Sequence, residues 1–325
     1  MLYKGYDFFP HGSKWDFLGW RRIVCGGTLA VALALGVFLA VKGLNYGVDF
    51  KGGSLMEVQA TSGQLDISAL RTKLNKLGIG DVQVQGVGQG NEALVRIGQQ
   101  ADEKAQIEAG NKVRAELGEG ITVRRTEVVG PTVSAELKWT GIQAVVVALL
   151  GIAAYVWFRF EWQFAVAGIV AIFHDVFITT GIFSLLWYEF DLATVAALLT
   201  LAGYSINDTV VVFDRIRENL RKYKRMPFDE LLNLSINETL SRTIMTSSVT
   251  AVSVLALWLF GTEAIHGFAF AMLFGIVIGT YSSVFIAAPI VFWLGISRDN
   301  WSGTKDAAAT TVTAGAAKGS TKTKA

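Results

Sequence analysis

The sequence predicts a polytopic α-helical membrane protein with six transmembrane helices and one α+β domain of ferredoxin-like βαββαβ order after the first of them. Two observations carry that expectation. Of 325 residues, 52% are hydrophobic and 17% charged, and the mean hydropathy is +0.42, an apolar excess beyond ordinary globular composition. The apolar residues are also gathered into runs long enough to cross a bilayer, which takes about 20 residues of helix. Composition excludes other classes. A net charge of +2 is too near neutral for a nucleic-acid binder, and no Arg/Lys cluster is interleaved with stacking aromatics. The single cysteine, Cys25, can form no intramolecular disulfide, and three scattered histidines give no metal-ligand spacing. Neither a metal nor another cofactor is expected.

Residues 1–22 form a leading tail, and the first span follows at 23–41, with 19 uncharged residues from Ile23 to Val41. Ala32-Leu33-Ala34 resembles a signal-peptide cleavage site, but the apolar run continues past it, so an uncleaved helix is expected. Gly26, Ala30 and Ala34 at four-residue spacing would give this helix a small face for close packing. Residues 42–138 are soluble in composition. Ser54–Ala60 alternates as a strand, and Asp66–Leu77 is amphipathic, with Ile67, Leu70, Leu74 and Leu77 on one side. Asp81–Val87 and Glu92–Gly98 read as strands around a hairpin turn at Gly88–Asn91. A second helix over Ala101–Leu117 and a last strand over Ile121–Val129 complete the split-βαβ pattern. The charges of this domain balance, 12 Lys/Arg against 12 Asp/Glu, and read as a solvated surface.

Residues 139–296 hold the other five spans: Trp139–Phe158, Trp162–Tyr188, Leu192–Phe213, Thr243–Thr262 and roughly 267–294. A polar segment, 214–242, separates the fourth from the fifth. Orientation follows from positive charge. Four Lys/Arg lie in the leading tail, seven in 214–242 and five after the last span, whereas the loops around Glu189–Asp191 and Glu263–His266 have none. Both termini and the polar segment are therefore expected in the cytoplasm and the α+β domain in the periplasm. The tail 297–325, rich in Ala, Gly, Thr and Lys, is expected to be disordered.

The candidate functional residues centre on Asp208, the one charged residue between Asp191 and Asp214. A carboxylate at bilayer depth costs about 2.5–3.5 kcal/mol on insertion scales, so it is a functional candidate by default. A buried structural aspartate is the alternative. At about 100° per residue, Asp208 shares a face with Thr194, Ala197, Leu201, Tyr204 and Ser205, opposite Leu199, Ile206, Val210 and Phe213. Three other spans offer small or polar faces: Gly168, Ala171, Asp175 and Thr179 on the third; Arg242, Thr246, Thr250 and Ser253 on the fifth; Gly267, Ala271, Gly275, Gly279 and Ser283 on the sixth, a small-xxx-small seam. Arg242 also reads as a snorkelling boundary charge, His174 as a satisfied core histidine, and Asp214 as an interfacial charge.

Six further motifs stand out: Gly47-Val48-Asp49-Phe50-Lys51-Gly52-Gly53, Val129-Gly130-Pro131 and Phe173-His174-Asp175-Val176. Gly203-Tyr204-Ser205-Ile206-Asn207-Asp208-Thr209-Val210 follows, then Phe213-Asp214-Arg215-Ile216-Arg217-Glu218-Asn219 and Glu238-Thr239-Leu240-Ser241-Arg242-Thr243-Ile244. Together they resemble the SecF family of protein-export membrane subunits. The resemblance runs from about residue 15 to 296. It implies one half of a pseudo-symmetric complex with SecD, within the proton-driven RND-type group, in the inner membrane. It further implies the SecYEG translocon as partner, YajC as a further candidate, and emerging unfolded polypeptide as the client. Asp208, Arg242 and Asp175 would couple proton flow to movement of the outer domains. No Walker-type loop and no nucleophile–base pair is present, so a transport subunit rather than an enzyme is expected. An RND-type exporter of small molecules or lipids, and a passive translocon scaffold, are the competing classes.

Overall fold

The structure is a computed structural model that describes residues 13–87 and 90–296. The hairpin turn expected at Gly88–Asn91 lies partly outside these residues, as do the tail 297–325 and the first twelve residues. The chain opens with helix α1 (Arg21–Lys42), strand β1 (Asn45–Tyr46) and the short helix α2 (Val48–Lys51). The α+β domain follows as β2 (Gly53–Ala60), α3 (Ile67–Asn75), β3 (Val82–Val87), β4 (Glu92–Ile97), α4 (Glu103–Leu117) and β5 (Ile121–Val129). The rest is α5 (Pro131–Arg159), α6 (Trp162–Leu186), β6 (Glu189–Phe190), α7 (Leu192–Lys222), α8 (Phe228–Phe260) and α9 (Glu263–Ser282). A π-helical turn over Ser283–Ala287 then leads into α10 (Ala288–Leu294).

Among the described residues, six helical stretches are long and apolar enough to cross a membrane: α1, α5, α6, α7, α8 and the run from Glu263 to Leu294. The polar segment 214–242 is no separate region. α7 runs on to Lys222 and α8 starts at Phe228, so both spans project beyond the apolar zone as a helical hairpin. Ser13–Leu18 is strapped across that hairpin: the Asn233 side-chain oxygen accepts the Phe17 and Leu18 N–H groups at 3.0 Å, and that of Asn237 accepts the Trp15 N–H at 3.0 Å.

The domain has the expected βαββαβ order. Its sheet runs β3-β4-β2-β5 with all neighbours antiparallel, which is the split-βαβ arrangement. Alternation along the strands sends Met56, Val58, Val82, Val84, Val95 and Ile97 to one face, where Leu70, Leu74, Val113 and Leu117 of α3 and α4 cover them. Both helices start on side-chain caps: Asp66 accepts from Ser68 and Ala69 N–H, and Asp102 from Ala105 N–H, which satisfies otherwise orphaned donors. The opposite face, with Glu57, Gln85, Arg96, Arg125 and Glu127, turns towards the α6–α7 and α8–α9 connections across a cleft of about 450 Å³. There Arg96 forms an ion pair with Glu189.

Small residues set the bundle's closest contacts. A Cβ on Gly279 would lie 3.1 Å from the Ser205 Cβ, one on Gly267 would lie 3.3 Å from Thr194 Oγ1, and one on Gly275 would collide with Leu201. The expected seam on the sixth span therefore packs on α7. The expectation for the first span is corrected. Gly26, Ala30 and Ala34 are exposed; α1 instead docks on α6 by seating Leu35 against Gly181, where an added Cβ would be 2.8 Å away. The small residue of that contact belongs to the partner helix, which the sequence of α1 alone does not contain. The lone cysteine has a local role. Pro289 has no N–H to give the Phe285 carbonyl four residues earlier, and the Cys25 thiol donates to that carbonyl at 3.2 Å.

Candidate functional site: a carboxylate network in the helical bundle

Two buried carboxylates sit between α6, α7, α8 and α9. Asp208 is 3% exposed and Asp175 is fully buried. α7 can carry Asp208 inward because Gly275 and Gly279 of α9 let Leu201 and Ser205 of the same helix face pack closely against them. The Ser247 hydroxyl of α8 donates to Asp208 Oδ2 at 3.2 Å. Ser247 Oγ in turn lies 2.7 Å from Thr280 Oγ1 of α9, and the Tyr204 hydroxyl donates to it at 3.4 Å. The result is a hydroxyl chain linking α7, α8 and α9 with the carboxylate at one end.

Asp175 is held differently. Its Oδ1 lies 2.9 Å from His174 Nδ1, and its Oδ2 accepts from Ser205 and Ser282, the latter at 2.7 Å. It ties α6 to α7 and α9, with both oxygens engaged. Ser205 and Asp208 stand three residues apart on α7, so the two clusters are stacked on one helix face. Asp175 has the partners of a structural hub, whereas Asp208 keeps spare acceptor capacity.

Arg242 is not brought into contact with Asp208. Among the described residues no ion pair or hydrogen bond joins them, and the Arg242 side chain is exposed. The same holds for the face that the sequence groups with it: Thr246 and Ser253 are exposed and Thr250 is half-buried. Ser247, 7% exposed, is the α8 residue that reaches Asp208, and helical periodicity measured from Arg242 passes it over. On α7, Ile206 and Phe213 are buried as well, because Gly168 of α6 lets them approach. The open side of α7 is Ala196, Thr200, Gly203 and Asn207.

The Gly47–Gly53 motif lies at the domain end of the bundle. Asp49 Oδ2 accepts the Leu192 N–H at 2.9 Å. Phe50 packs with its ring centroid 6.0 Å from that of Tyr46 and 6.2 Å from that of Phe190. Gly52 and Gly53 have φ of 73° and 126°, in the region that side chains rarely enter. Among the described residues, no group of three or more His, Cys, Asp or Glu side chains converges as a metal site. Asp214 is paired with Arg159 at 3.1 Å, away from the network.

Comparison with known proteins agrees with this architecture. Residues 110–297 match the family model of the SecD/SecF protein export membrane protein C-terminal region, and residues 37–63 match the SecD/SecF GG motif. The protein translocase subunit SecF of Rhodobacter capsulatus is 42% identical over 89% of this chain and 92% of its own. That of Cereibacter sphaeroides is 45% identical over the same shares. The SecDF of Brucella abortus is 44% identical over 82% of this chain but only 35% of its own length. The crystal structure of SecDF from Thermus thermophilus, described as a translocon-associated membrane protein, superposes with a TM-score of 0.79 at 39% identity. That match covers 88% of this chain and 39% of the longer SecDF polypeptide. By sequence over nearly its whole length and by fold, the chain belongs to the SecF family of protein translocase subunits.

Proposed function

We propose that this chain pairs with SecD and uses the proton-motive force to complete export of unfolded polypeptides across the inner membrane. One observation carries the reading: Asp208 is a buried carboxylate within an apolar helix, and its hydrogen bond comes from a hydroxyl on a different helix, α8. Moving α8 relative to α7 would change its partners from Ser247 to Arg242 and thereby load or release a proton. One elementary charge crossing the membrane is worth about 2.3 kcal/mol per 100 mV, enough to shift a two-state equilibrium substantially. Arg242 is the gate, and Asp175 is a second carboxylate on the route.

The partner half is inferred from what this chain leaves uncovered. Thr200, Gly203 and Asn207 on α7, with Arg242, Thr246 and Ser253 on α8, form an exposed small and polar surface. Such groups at membrane depth face protein rather than lipid. Relatives named SecDF carry a second half in the same polypeptide. SecD fills that place here, with SecYEG and YajC as further partners. Both termini and 214–242 lie in the cytoplasm and the α+β domain in the periplasm, in keeping with the distribution of Lys and Arg.

The test is proton flux into liposomes holding the purified complex with SecD. Wild type should conduct protons when a gradient is imposed, and Asp208→Asn, which keeps size but cannot cycle a proton, should not. Equal flux in the two would overturn the assignment.

A further inference from the structure

The Gly47–Gly53 motif has no part in the proton network, yet it is built against the helix that carries Asp208. Gly53 begins β2, a central strand of the sheet, and a Cβ there would lie 2.5 Å from the Ile97 carbonyl oxygen. The motif is therefore pressed against β4. On its other side, a Cβ on Gly47 would be 2.8 Å from Glu189 Oε1 and 3.2 Å from the Asp191 Cβ, and one on Gly52 would be 3.2 Å from Ser134 Oγ of α5. Little slack separates α2 from the α6–α7 connection. A parallel ladder reinforces the contact, with Asn45 opposite Glu189 and Tyr46 opposite Phe190, and the Gly47 N–H donates to the Phe190 carbonyl at 2.9 Å.

Into this packed junction Asp49 projects its carboxylate at the first turn of α7. The first four N–H groups of a helix have no partner within it. Asp191 takes that of Thr194 at 2.7 Å, and Asp49, from a distant part of the sequence, takes that of Leu192. Its charge also sits at the positive end of the helix dipole. From Leu192, α7 runs without interruption to Asp208, about 24 Å along the axis at 1.5 Å per residue. The geometry points to Asp49 as the positioning residue that joins the α+β domain to the Asp208 helix, making the Gly47–Gly53 motif the mechanical link between proton uptake and domain movement. A shift of β2 is passed through Gly52-Gly53 and α2 to the start of α7, and a tilt of α7 is passed back.

This inference rests on the proton-driven reading, and its test separates the two. The complex with SecD, reconstituted in sealed liposomes with the translocon, is assayed both for proton flux and for the gradient-stimulated part of export. Three variants are compared. Asp49→Ala removes the acceptor. Leu192→Pro removes the donor while suiting the first helical position, where proline is favoured. Asp49→Asn keeps an oxygen able to accept the same N–H. Asp49→Ala and Leu192→Pro should each retain proton flux and lose gradient-stimulated export by about five-fold, the bias that one helix cap places on an equilibrium. Asp49→Asn should stay within about two-fold of wild type on the same scale. If Asp49→Ala does not assemble, Leu192→Pro decides alone. Wild-type export in Leu192→Pro, or loss of flux together with export in either variant, would overturn the positioning role. A wild-type complex with no gradient-stimulated export would instead overturn the motor reading and this link with it.

Discussion

At the scale of single residues, the proposed function turns on a carboxylate, Asp208, that would hold a proton at one stage and give it up at another. The Ser247 hydroxyl donates to Asp208 in the structure, and a hydrogen bond to a charged group is worth about 1.5–3 kcal/mol. Ser247→Ala should therefore leave assembly with SecD intact and slow gradient-driven proton flux about ten-fold, because the ionised form loses its partner. Flux equal to wild type would mean that Ser247 is a packing residue. Asp208 and Asp175 were legible in the sequence because each is a rare charge inside an apolar span. Ser247 was not. It is one of several hydroxyls on α8, and counting from Arg242 selects Thr246, Thr250 and Ser253, which are exposed or half-buried. Which face of α8 meets α7 selects Ser247, and that choice is absent from the periodicity of either helix alone. The bonds of Asp175 to Ser205 and Ser282 were equally hidden, because these partners come from two other helices that only the fold brings together.

At the scale of elements, the α7–α9 seam sets how closely the helix that carries Asp208 can be held. Gly275 faces Leu201 with no room for a Cβ, so Gly275→Ala should force the helices apart. Overpacking of this kind costs about 1–3 kcal/mol, seen as a lower midpoint for thermal unfolding of the detergent-solubilised complex. The open Gly203, with nothing within 4 Å of an added Cβ in this chain, provides the control. Gly203→Ala should leave the isolated chain unchanged and weaken only its association with SecD. The seam was legible because five small residues recur at every fourth position over Gly267–Ser283, a longer run than the three of Gly26, Ala30 and Ala34, which are exposed. The domain's strands and helices were legible for a similar reason: alternation and the 3.6-residue period differ sharply. β1, β6 and α2 were invisible. Two to four residues are too few to show a period, and these elements exist only because the α1 exit and the α6–α7 connection meet. The cap that Asp49 places on α7 belongs to the same class of feature.

At the scale of the whole molecule, a folded domain is mounted on six helices, and a carboxylate network lies within the helices beneath it. The proposed orientation rests on the segregation of Lys and Arg. A cysteine introduced at Gln89 should react with an impermeant reagent added from the periplasmic side, and one introduced at Arg225 should not; the reverse pattern would invert the topology. The domain and the bundle meet at the Asp49 cap, the two-residue ladder and the Arg96–Glu189 ion pair. The close packing of Gly47, Phe50 and Gly52 against α5 and the α6–α7 connection adds to these contacts. The central claim is that Asp208 couples proton entry to the late stage of export. Its most direct test is export into sealed membrane vesicles with and without a proton gradient, scored after the ATP-driven steps have finished. Wild type should complete export only with the gradient. Asp208→Asn should assemble and stall whether or not the gradient is present, and Asp208→Glu, still titratable, should retain part of the response. If Asp208→Asn completes export in response to the gradient as wild type does, Asp208 is a structural residue and the proton moves elsewhere.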